Sequence, residues 1–281
     1  MPLDHELTPA RVRLPDPGRL IVFSDLDGTL LDHETYSHAA AAEALAKLRE
    51  HKAPLILASS KTAAEIAPLR DELGFSRCDA IVENGAGILE PHDSGDGASE
   101  IHGRLLSAIA SLPPELTDHF RGFSDWSDED VSERTGLSTE QAARARQRQF
   151  SEPGLWNGSD AERGRFCELL EEMGIRAQQG GRFMTLSFGS DKALRMTEII
   201  DRYRKSGHEP FTLALGDAGN DIGMLEAADL GVIIPNASHG GIPGLPGEAT
   251  GKIIRETLEG PAGWNKAVLR MFQKDIGFKE S

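Results

Sequence analysis

Residues 20–29 read Leu-Ile-Val-Phe-Ser-Asp-Leu-Asp-Gly-Thr, an apolar run that ends in two carboxylates. The apolar part is short, continuous and rich in β-forming residues, which is typical of a strand covered on both faces in a parallel sheet. Asp25 and Asp27 follow at the carboxyl end of this strand, where open α/β sheets bind their ligands. The stretch therefore predicts a parallel α/β fold with a functional site at this edge. A plain turn at the end of a strand is the alternative.

An EF-hand calcium loop also contains the Asp-x-Asp spacing, but the remaining spacing here does not fit one. Such a loop needs glycine at position six and glutamate at position twelve. Counted from Asp25, Gly28 stands at position four and Tyr36 at position twelve. The pair is better explained as a nucleophile with a neighbouring acid–base group, with a divalent cation offsetting their repulsion.

Strand and helix signals alternate on both sides of this stretch, with an interruption in the middle of the chain. Parallel α/β signals are found for a helix at 37–50, a strand at 54–58, a helix ending at Gly74, a strand at 80–82, a helix at 193–204 and strands at 211–215 and 231–234. Residues 91–188 lack buried-strand runs and instead predict two helices, at 138–149 and 161–173, and a hairpin around residues 179–181. We expect a Rossmann-like core formed by residues 1–90 and 189–281, with residues 91–188 inserted as an α+β cap.

A second acidic cluster follows another predicted strand. Residues 216–221 read Gly-Asp-Ala-Gly-Asn-Asp, so Asp217 and Asp221 arrive at the same edge of the sheet as Asp25. Carboxylate oxygens suit Mg²⁺, which accepts a few of them and keeps water or phosphate oxygen as its other ligands. The two clusters together predict a magnesium site, and an Asx-rich helix cap is the alternative for the second cluster alone.

Two further segments carry groups suited to an anion. Ser59, Ser60 and Lys61 follow the second strand, and hydroxyls and amides at a helix start are well placed to hold phosphate. Helix capping by one of the serines is the alternative, and it does not exclude the first. Lys192 is the first residue of the helix after the cap, where a cation interacts unfavourably with the helix dipole. Its charge is therefore expected to pair with an anion.

Composition excludes several classes of protein. The chain has 281 residues and a formal net charge of −15, which disfavours nucleic acid and anionic membranes as partners. No window approaches the roughly 18 to 20 apolar residues of a membrane span. Two cysteines are too few for a disulfide framework, and residues 1–18 lack the order of a signal peptide, so a cytoplasmic location is expected. Motifs for triad hydrolases, nucleoside triphosphates and dinucleotides do not occur.

The chemistry-bearing residues resemble, in order and spacing, the four motifs of haloacid-dehalogenase-like (HAD) phosphatases. These residues are Asp25 to Thr29, Ser59, Lys192, and Gly216-Asp217 with Asn220-Asp221. The long insertion between the second and third motifs is similar to the large cap, of C2B type, found in members that hydrolyse sugar phosphates. The resemblance implies that Asp25 becomes an aspartyl phosphate, that Asp27 is the acid–base group, and that Ser59 and Lys192 hold the phosphoryl oxygens. It also implies that Mg²⁺ binds Asp25, the carbonyl of Asp27, Asp217 and Asp221.

A narrower resemblance, to mannosyl-3-phosphoglycerate phosphatases, covers nearly the whole chain after Arg19. It rests on the segments at residues 59–62, 82–86, 150–153 and 180–183. Ala193 departs from the family pattern, since many relatives have glycine there. The resemblance implies a small-molecule sugar phosphate as substrate and mannosylglycerate as product.

Specificity is expected to come largely from the cap. Arg182, on a strand beside paired glycines, is the predicted partner of the glycerate carboxylate, because its planar fork matches a carboxylate. A solvent-facing strand residue is the alternative. The remaining predicted substrate-binding residues are Ser60, Lys61, Glu83, Asn84, Glu152 and Asn220, of which Glu152 and Asn84 are assigned to sugar hydroxyls. Other readings are a phosphatase for glucosyl-3-phosphoglycerate, sucrose phosphate or another hexose phosphate, a phosphomutase, and a non-catalytic sugar-phosphate-binding protein. The sequence does not indicate an oligomeric state.

Overall fold

A computed structural model of the protein describes residues 17–189, 191–238 and 240–273. The segment 1–18, for which no signal peptide is expected, lies outside these ranges apart from its last two residues. Within the described ranges, no helix is long and apolar enough to cross a membrane.

The described residues form eleven strands and ten α-helices. The strands are β1 (Leu20–Ser24), β2 (Leu55–Ala58), β3 (Ala80–Val82), β4 (Gly87–Leu89), β5 (Phe120–Gly122), β6 (Ser151–Trp156), β7 (Arg176–Gly180), β8 (Phe183–Ser187), β9 (Phe211–Gly216), β10 (Leu230–Ile233) and β11 (Ile253–Arg255). The helices are α1 (Ala42–Glu50), α2 (Ala63–Glu72), α3 (Glu100–Ala110), α4 (Pro114–Thr117), α5 (Asp128–Thr135), α6 (Thr139–Ala145), α7 (Asp160–Glu172), α8 (Lys192–Lys205), α9 (Ile222–Ala227) and α10 (Gly260–Arg270).

The chain divides into two compact units. One comprises the described parts of residues 1–57 and 196–281, and the other comprises residues 58–195. The predicted cap, residues 91–188, falls within the second unit.

The first unit is built on parallel strands in the order β11-β10-β9-β1-β2. Every residue of β1 is buried, as its unbroken apolar sequence requires. In the register Ser24 lies beside Leu215, and the Asp25 amide donates to the Leu215 carbonyl at 2.9 Å. The residues after β1 and after β9 therefore leave the sheet at one edge. The predicted parallel α/β core is confirmed.

The second unit contains an antiparallel pair, β3 and β4, and a four-stranded antiparallel sheet in the order β5-β6-β8-β7. Helices α3, α4 and α7 cover this sheet through a buried apolar cluster that includes Leu105, Phe166 and Leu186. The predicted hairpin is β7 and β8, with Met184 and Leu186 on the buried face. The expected α+β insertion is thus confirmed.

The cap contains elements that the sequence did not predict, namely α3, α4, α5, β5 and β6, and one predicted helix is shorter than expected. The helix expected at 138–149 keeps its capping box between Ser138 and Gln141 but ends at Ala145. Strand β6 was not predicted, because Pro153 and the glycine after it disfavour strands. Pro153 is tolerated because β5 pairs with β6 only from Gly154 onward, so Pro153 has a neighbouring strand on one side alone.

Candidate active site

Three buried carboxylates lie together at the carboxyl edge of the parallel strands. Asp25 follows β1, while Asp217 and Asp221 follow β9, and one carboxylate oxygen of each lies within 4.8 Å of the others. Their exposed fractions are 8%, 2% and 0%. Three anions gathered away from water repel one another strongly unless a cation is shared between them. This cluster, named here the carboxylate cluster, has the hard oxygen ligands that Mg²⁺ prefers, so the residues present fit that ion.

The Asp217 carboxylate is oriented by two side-chain donors. Thr29 Oγ1 donates to Asp217 Oδ1 at 2.9 Å, and Asn236 Nδ2 donates to Asp217 Oδ2 at 2.7 Å. Such neighbours fix the direction of a ligand's lone pairs. Asn236 was missed by the sequence prediction, since a single asparagine after Pro235 carries no recognisable motif. Its place just beyond β10, at the same edge of the sheet, is the signal that was available.

Asp221 holds the loop between β9 and α9. Its Oδ2 accepts hydrogen bonds from the amides of Asp217 and Ala218, each at 3.1 Å. A carboxylate that accepts two backbone amides fixes the loop geometry. Asp221 therefore combines the helix-cap alternative of the sequence analysis with membership of the carboxylate cluster.

Gly28 makes room for the Asp217 side chain and its partner Asn236. Its φ is +84°, and a Cβ there would lie 2.1 Å from Asn236 Nδ2 and 2.8 Å from Asp217 Oδ2. Any other residue at this position is therefore excluded both by backbone strain and by contact. The glycine of the Asp-Leu-Asp-Gly-Thr segment is needed for close packing of the two acidic loops.

A buried tryptophan supports the backbone at Asp25 through the hydroxyl of Ser24. Trp264 Nε1 donates to Ser24 Oγ at 2.9 Å, and Ser24 Oγ donates to the Asp25 carbonyl at 2.7 Å. Both Trp264 and Ser24 are fully buried. Asp27 lies two residues further on and is half-buried as a residue, with its Oδ1 buried. Two carboxylates at this spacing suit a nucleophile beside an acid–base group.

In the second unit, the predicted phosphate loop Ser59-Ser60-Lys61 is anchored on the turn that follows β3. The Asn84 amide donates to the Ser59 carbonyl, and the Glu83 amide donates to the Lys61 carbonyl, each at 2.9 Å. Helix α2 is capped by Thr62, which forms a capping box with Glu65. Neither serine is therefore the cap of that helix, and Ser59 is buried while Ser60 is exposed.

Lys192 is the first residue of α8 and is 1% exposed. Its backbone lies against Gly85, where a Cβ would come within 2.6 Å of Lys192 N. Asp191 accepts from the Leu194 amide at 2.8 Å and so satisfies the helix start. The loop after β3 thus brings Ser59 and Lys192 to one region of the second unit. An almost fully buried lysine requires a charged or polar partner.

Glu83 lies in a different environment from the one that was expected for a substrate-binding group. Its carboxylate is 2% exposed and accepts from Gln149 N at 2.8 Å, Phe150 N at 3.1 Å and Ser151 Oγ at 2.6 Å. Its backbone and that of Asn84 are left-handed, with φ of 51° and 57°. Strained non-glycine residues persist only when their surroundings hold them. Glu83 thereby links the turn after β3, which anchors the phosphate loop, to the start of β6.

The other predicted cap residues also have protein partners. Glu152 is 1% exposed and accepts from Ser124 N at 2.7 Å and Ser124 Oγ at 2.9 Å, with His102 Nε2 at 2.7 Å. Exposed Arg182 donates to the Arg134 carbonyl at 2.7 Å and stacks over Phe183. Glu152 is better suited to shaping the cap than to contacting a sugar. The assignment of Arg182 to a carboxylate stays a prediction.

Two further residues, Asn220 and Arg148, lie near the segments described above. Asn220 lies exposed in the short turn before α9. Arg148, which was not among the predicted site residues, donates a hydrogen bond from Nη1 to the Ser60 carbonyl at 3.1 Å. Its position just before the segment 150–153 was the only available signal.

Comparison with known proteins gives matches over most of the chain. The family model described as haloacid dehalogenase-like hydrolase matches residues 22–111 and 163–241. Among solved structures, a HAD-superfamily phosphatase from Bacteroides thetaiotaomicron is 19% identical, with 94% of this chain and 99% of that chain covered and a TM-score of 0.65. A haloacid dehalogenase-like hydrolase from the same organism is 21% identical, covering 90% of this chain and 99% of its own, with a TM-score of 0.62.

The sucrose-phosphatase of Synechocystis sp. PCC6803, solved with sucrose and phosphate, is 17% identical over 90% of this chain and 98% of that chain, with a TM-score of 0.56. At these identities the structural matches show a shared fold. The family model spans more than half of the chain and includes the residues of the carboxylate cluster. The chain therefore belongs to the haloacid dehalogenase-like hydrolases.

Proposed function

We propose that this protein is a Mg²⁺-dependent phosphatase that releases phosphate from mannosyl-3-phosphoglycerate. The observation that carries the phosphatase proposal is the carboxylate cluster, with Asp27 two residues beyond Asp25. The narrower substrate assignment is supported by the sequence segments 59–62, 82–86, 150–153 and 180–183. A small sugar phosphate as the partner also agrees with the strongly acidic composition, which disfavours polyanions.

The cluster would hold Mg²⁺ through Asp25, Asp217 and Asp221, with the Asp27 carbonyl as a further ligand. When bound, the ion supplies positive charge that offsets the repulsion between the carboxylates and the phosphoryl oxygens. Ser59 would donate to a phosphoryl oxygen, and Lys192 would neutralise part of its charge. Phosphoryl transfer depends mainly on such positioning and charge neutralisation.

The covalent steps follow from the two aspartates. An Asp25 carboxylate oxygen attacks phosphorus, the phosphorus–oxygen ester bond breaks, and its electron pair leaves with the glycerate oxygen, which takes a proton from Asp27. Water then attacks the phosphorus of the aspartyl phosphate while Asp27 removes its proton. The bond from Asp25 to phosphorus breaks, and phosphate leaves. Asp27 gives its proton to the leaving oxygen in the first step and takes one from the attacking water in the second, so the cycle ends with Asp27 as it began.

Phosphate release from a panel of esters tests this proposal. The panel comprises mannosyl-3-phosphoglycerate, glucosyl-3-phosphoglycerate, sucrose phosphate, a hexose phosphate and 3-phosphoglycerate, each with Mg²⁺ and with EDTA. We expect metal-dependent release with the highest kcat/KM for the mannosyl compound. A higher kcat/KM for another ester would overturn the substrate assignment and leave the phosphatase proposal intact.

Two other readings give distinct results in the same assay. Transfer of phosphate to a second position of the sugar, without release, would indicate a phosphomutase. Binding of the esters with no turnover of any would indicate a sugar-phosphate-binding protein. The cytoplasmic location expected from the sequence stays a prediction.

A further inference from the structure

The arginines from α5 to the start of β6 differ in how their charges are paired. Arg134 pairs with Asp130, Arg144 with Glu140 and Arg146 with Asp128. Arg148 has no carboxylate partner in the part of the chain that the structure describes; its guanidinium contacts two backbone carbonyls and the Phe123 ring. In a chain of net charge −15, a half-buried arginine without an acidic partner is available to an external anion.

Arg148 is also fixed in direction. Nε donates to the Ala145 carbonyl at 2.9 Å, Nη1 donates to the Ser60 carbonyl at 3.1 Å, and the guanidinium carbon lies 5.6 Å from the Phe123 ring centroid. The next amide, that of Gln149, is held by the buried Glu83 carboxylate. A guanidinium held in this way loses little freedom when an anion binds it. Nη2 makes no hydrogen bond to the described residues and so keeps both of its donors.

The contact with Ser60 places this cation beside the phosphate loop. Helix α6 is joined to the same loop by Thr62 Oγ1, which donates to the Arg144 carbonyl at 3.0 Å. In a 3-phosphoglyceryl ester, the carboxylate and the phosphate stand at opposite ends of one three-carbon skeleton, so the two anions are only a few bonds apart. Because Arg148 contacts the residue that follows Ser59, its guanidinium is a suitable partner for the carboxylate of a substrate whose phosphate is held by Ser59. Arg182, by contrast, contacts Arg134 and Phe183 and no residue of the phosphate loop.

We propose that Arg148 binds the carboxylate of the phosphorylated hydroxy acid and is the cap residue that selects for acidic substrates. This inference rests on the proposed function. Charge-assisted hydrogen bonds from Arg148 to the carboxylate lower KM for the acid. They are not formed with the neutral amide, so KM for the amide should not depend on Arg148.

The test compares mannosyl-3-phosphoglycerate with its carboxamide, in which the carboxylate is neutral and the phosphate is unchanged. Wild-type enzyme, Arg148→Gln, Arg148→Lys, Arg182→Gln and Arg144→Gln are assayed, with circular dichroism melting to verify folding. We expect Arg148→Gln to raise KM for the acid roughly 10- to 100-fold and to leave KM for the amide near that of wild type. Arg148→Lys keeps the charge and loses the fork, so an intermediate KM is expected. Arg144→Gln, which removes an exposed arginine paired with Glu140, is the matched control.

Failure of the inference and failure of the proposed function are distinguishable. If wild type prefers the acid and Arg148→Gln keeps that preference, the role of Arg148 is overturned while the function stands. Loss of the preference in Arg182→Gln alone would assign the carboxylate to Arg182. Wild-type enzyme that hydrolyses only hexose phosphates without a carboxylate would overturn the substrate proposal together with the inference.

Discussion

Two sets of buried carboxylates in this molecule differ in whether they lie beside other carboxylates. Asp25, Asp217 and Asp221 lie within reach of one another at the end of the parallel strands. Glu83 and Glu152, in the second unit, are equally buried but are each surrounded by amide, hydroxyl or imidazole groups. Carboxylates that lie beside one another need a cation even where donors orient them, as Thr29 and Asn236 orient Asp217, whereas a buried carboxylate outside such a group is stabilised by its donors. Burial alone therefore does not identify a catalytic carboxylate; its neighbours do.

The largest effect is expected for Asp25→Asn. An amide does not attack phosphorus as a carboxylate does, so kcat for the proposed substrate should fall by about 10³-fold or more. Phosphate release at saturating Mg²⁺ measures it. Asp71→Asn, which changes an exposed carboxylate on α2, is the control. More than a tenth of wild-type kcat in Asp25→Asn would contradict the assignment of the nucleophile.

Asn236→Ala tests whether orientation of Asp217 matters to the metal. Loss of the 2.7 Å hydrogen bond should weaken Mg²⁺ binding roughly 10- to 100-fold, the usual range for a partner of a metal ligand. Calorimetric titration with Mg²⁺ measures the affinity directly, and the Mg²⁺ dependence of kcat/KM checks it. Asn157→Ala, at an exposed asparagine of the second unit, is the control. Equal affinity in Asn236→Ala and wild type would remove Asn236 from the site.

Glu83→Gln tests the other kind of buried carboxylate. One accepting oxygen becomes an NH₂ group that faces N–H or O–H donors, so the free energy of unfolding of the second unit should fall by about 1–3 kcal/mol. Urea denaturation measures the loss. Affinity for Mg²⁺ should stay at the wild-type value, because Glu83 is not part of the carboxylate cluster. Weaker Mg²⁺ binding with unchanged stability would show that Glu83 belongs to the metal site and does not have a structural role.

The smallest effect is expected for Glu140→Gln. Glu140 is an exposed carboxylate paired with Arg144 one helical turn away, at 2.7 Å. Such pairs are screened by water and salt, and this one should contribute less than about 0.5 kcal/mol. A thermal melt compared with that of Glu83→Gln gives the contrast. If Glu140→Gln lowered the melting temperature as much as Glu83→Gln, burial would not explain the difference between the two carboxylates.

The parallel core and the members of the carboxylate cluster were predictable from the sequence, because both depend on local patterns. A buried apolar run followed by aspartate predicts both a strand and the position at which it ends, as at Asp25 and Asp217. The partners of a carboxylate were not predictable in this way. Glu83 and Glu152 look like free acids in the sequence, and the groups that surround them come from distant residues such as Gln149 and Ser124.

Positions of the cap were harder to predict for related reasons. Strand β6 contains Pro153, whose local preference is overridden because β5 does not extend to it. Asn236 and Arg148 belong to no recognisable motif, and their relevance comes only from contacts with Asp217 and Ser60. The hairpin of β7 and β8 was predicted correctly because its alternation and its glycine turn are local.

Trapping of the covalent intermediate tests the central claim most directly. Enzyme is mixed with mannosyl-3-phosphoglycerate and Mg²⁺, quenched in acid within milliseconds and digested, and the peptide that carries phosphate is identified by mass spectrometry. We predict phosphate on Asp25 alone, absent with EDTA and absent in Asp25→Asn. Rapid release of phosphate with no label on Asp25, or a label on another residue, would contradict the account.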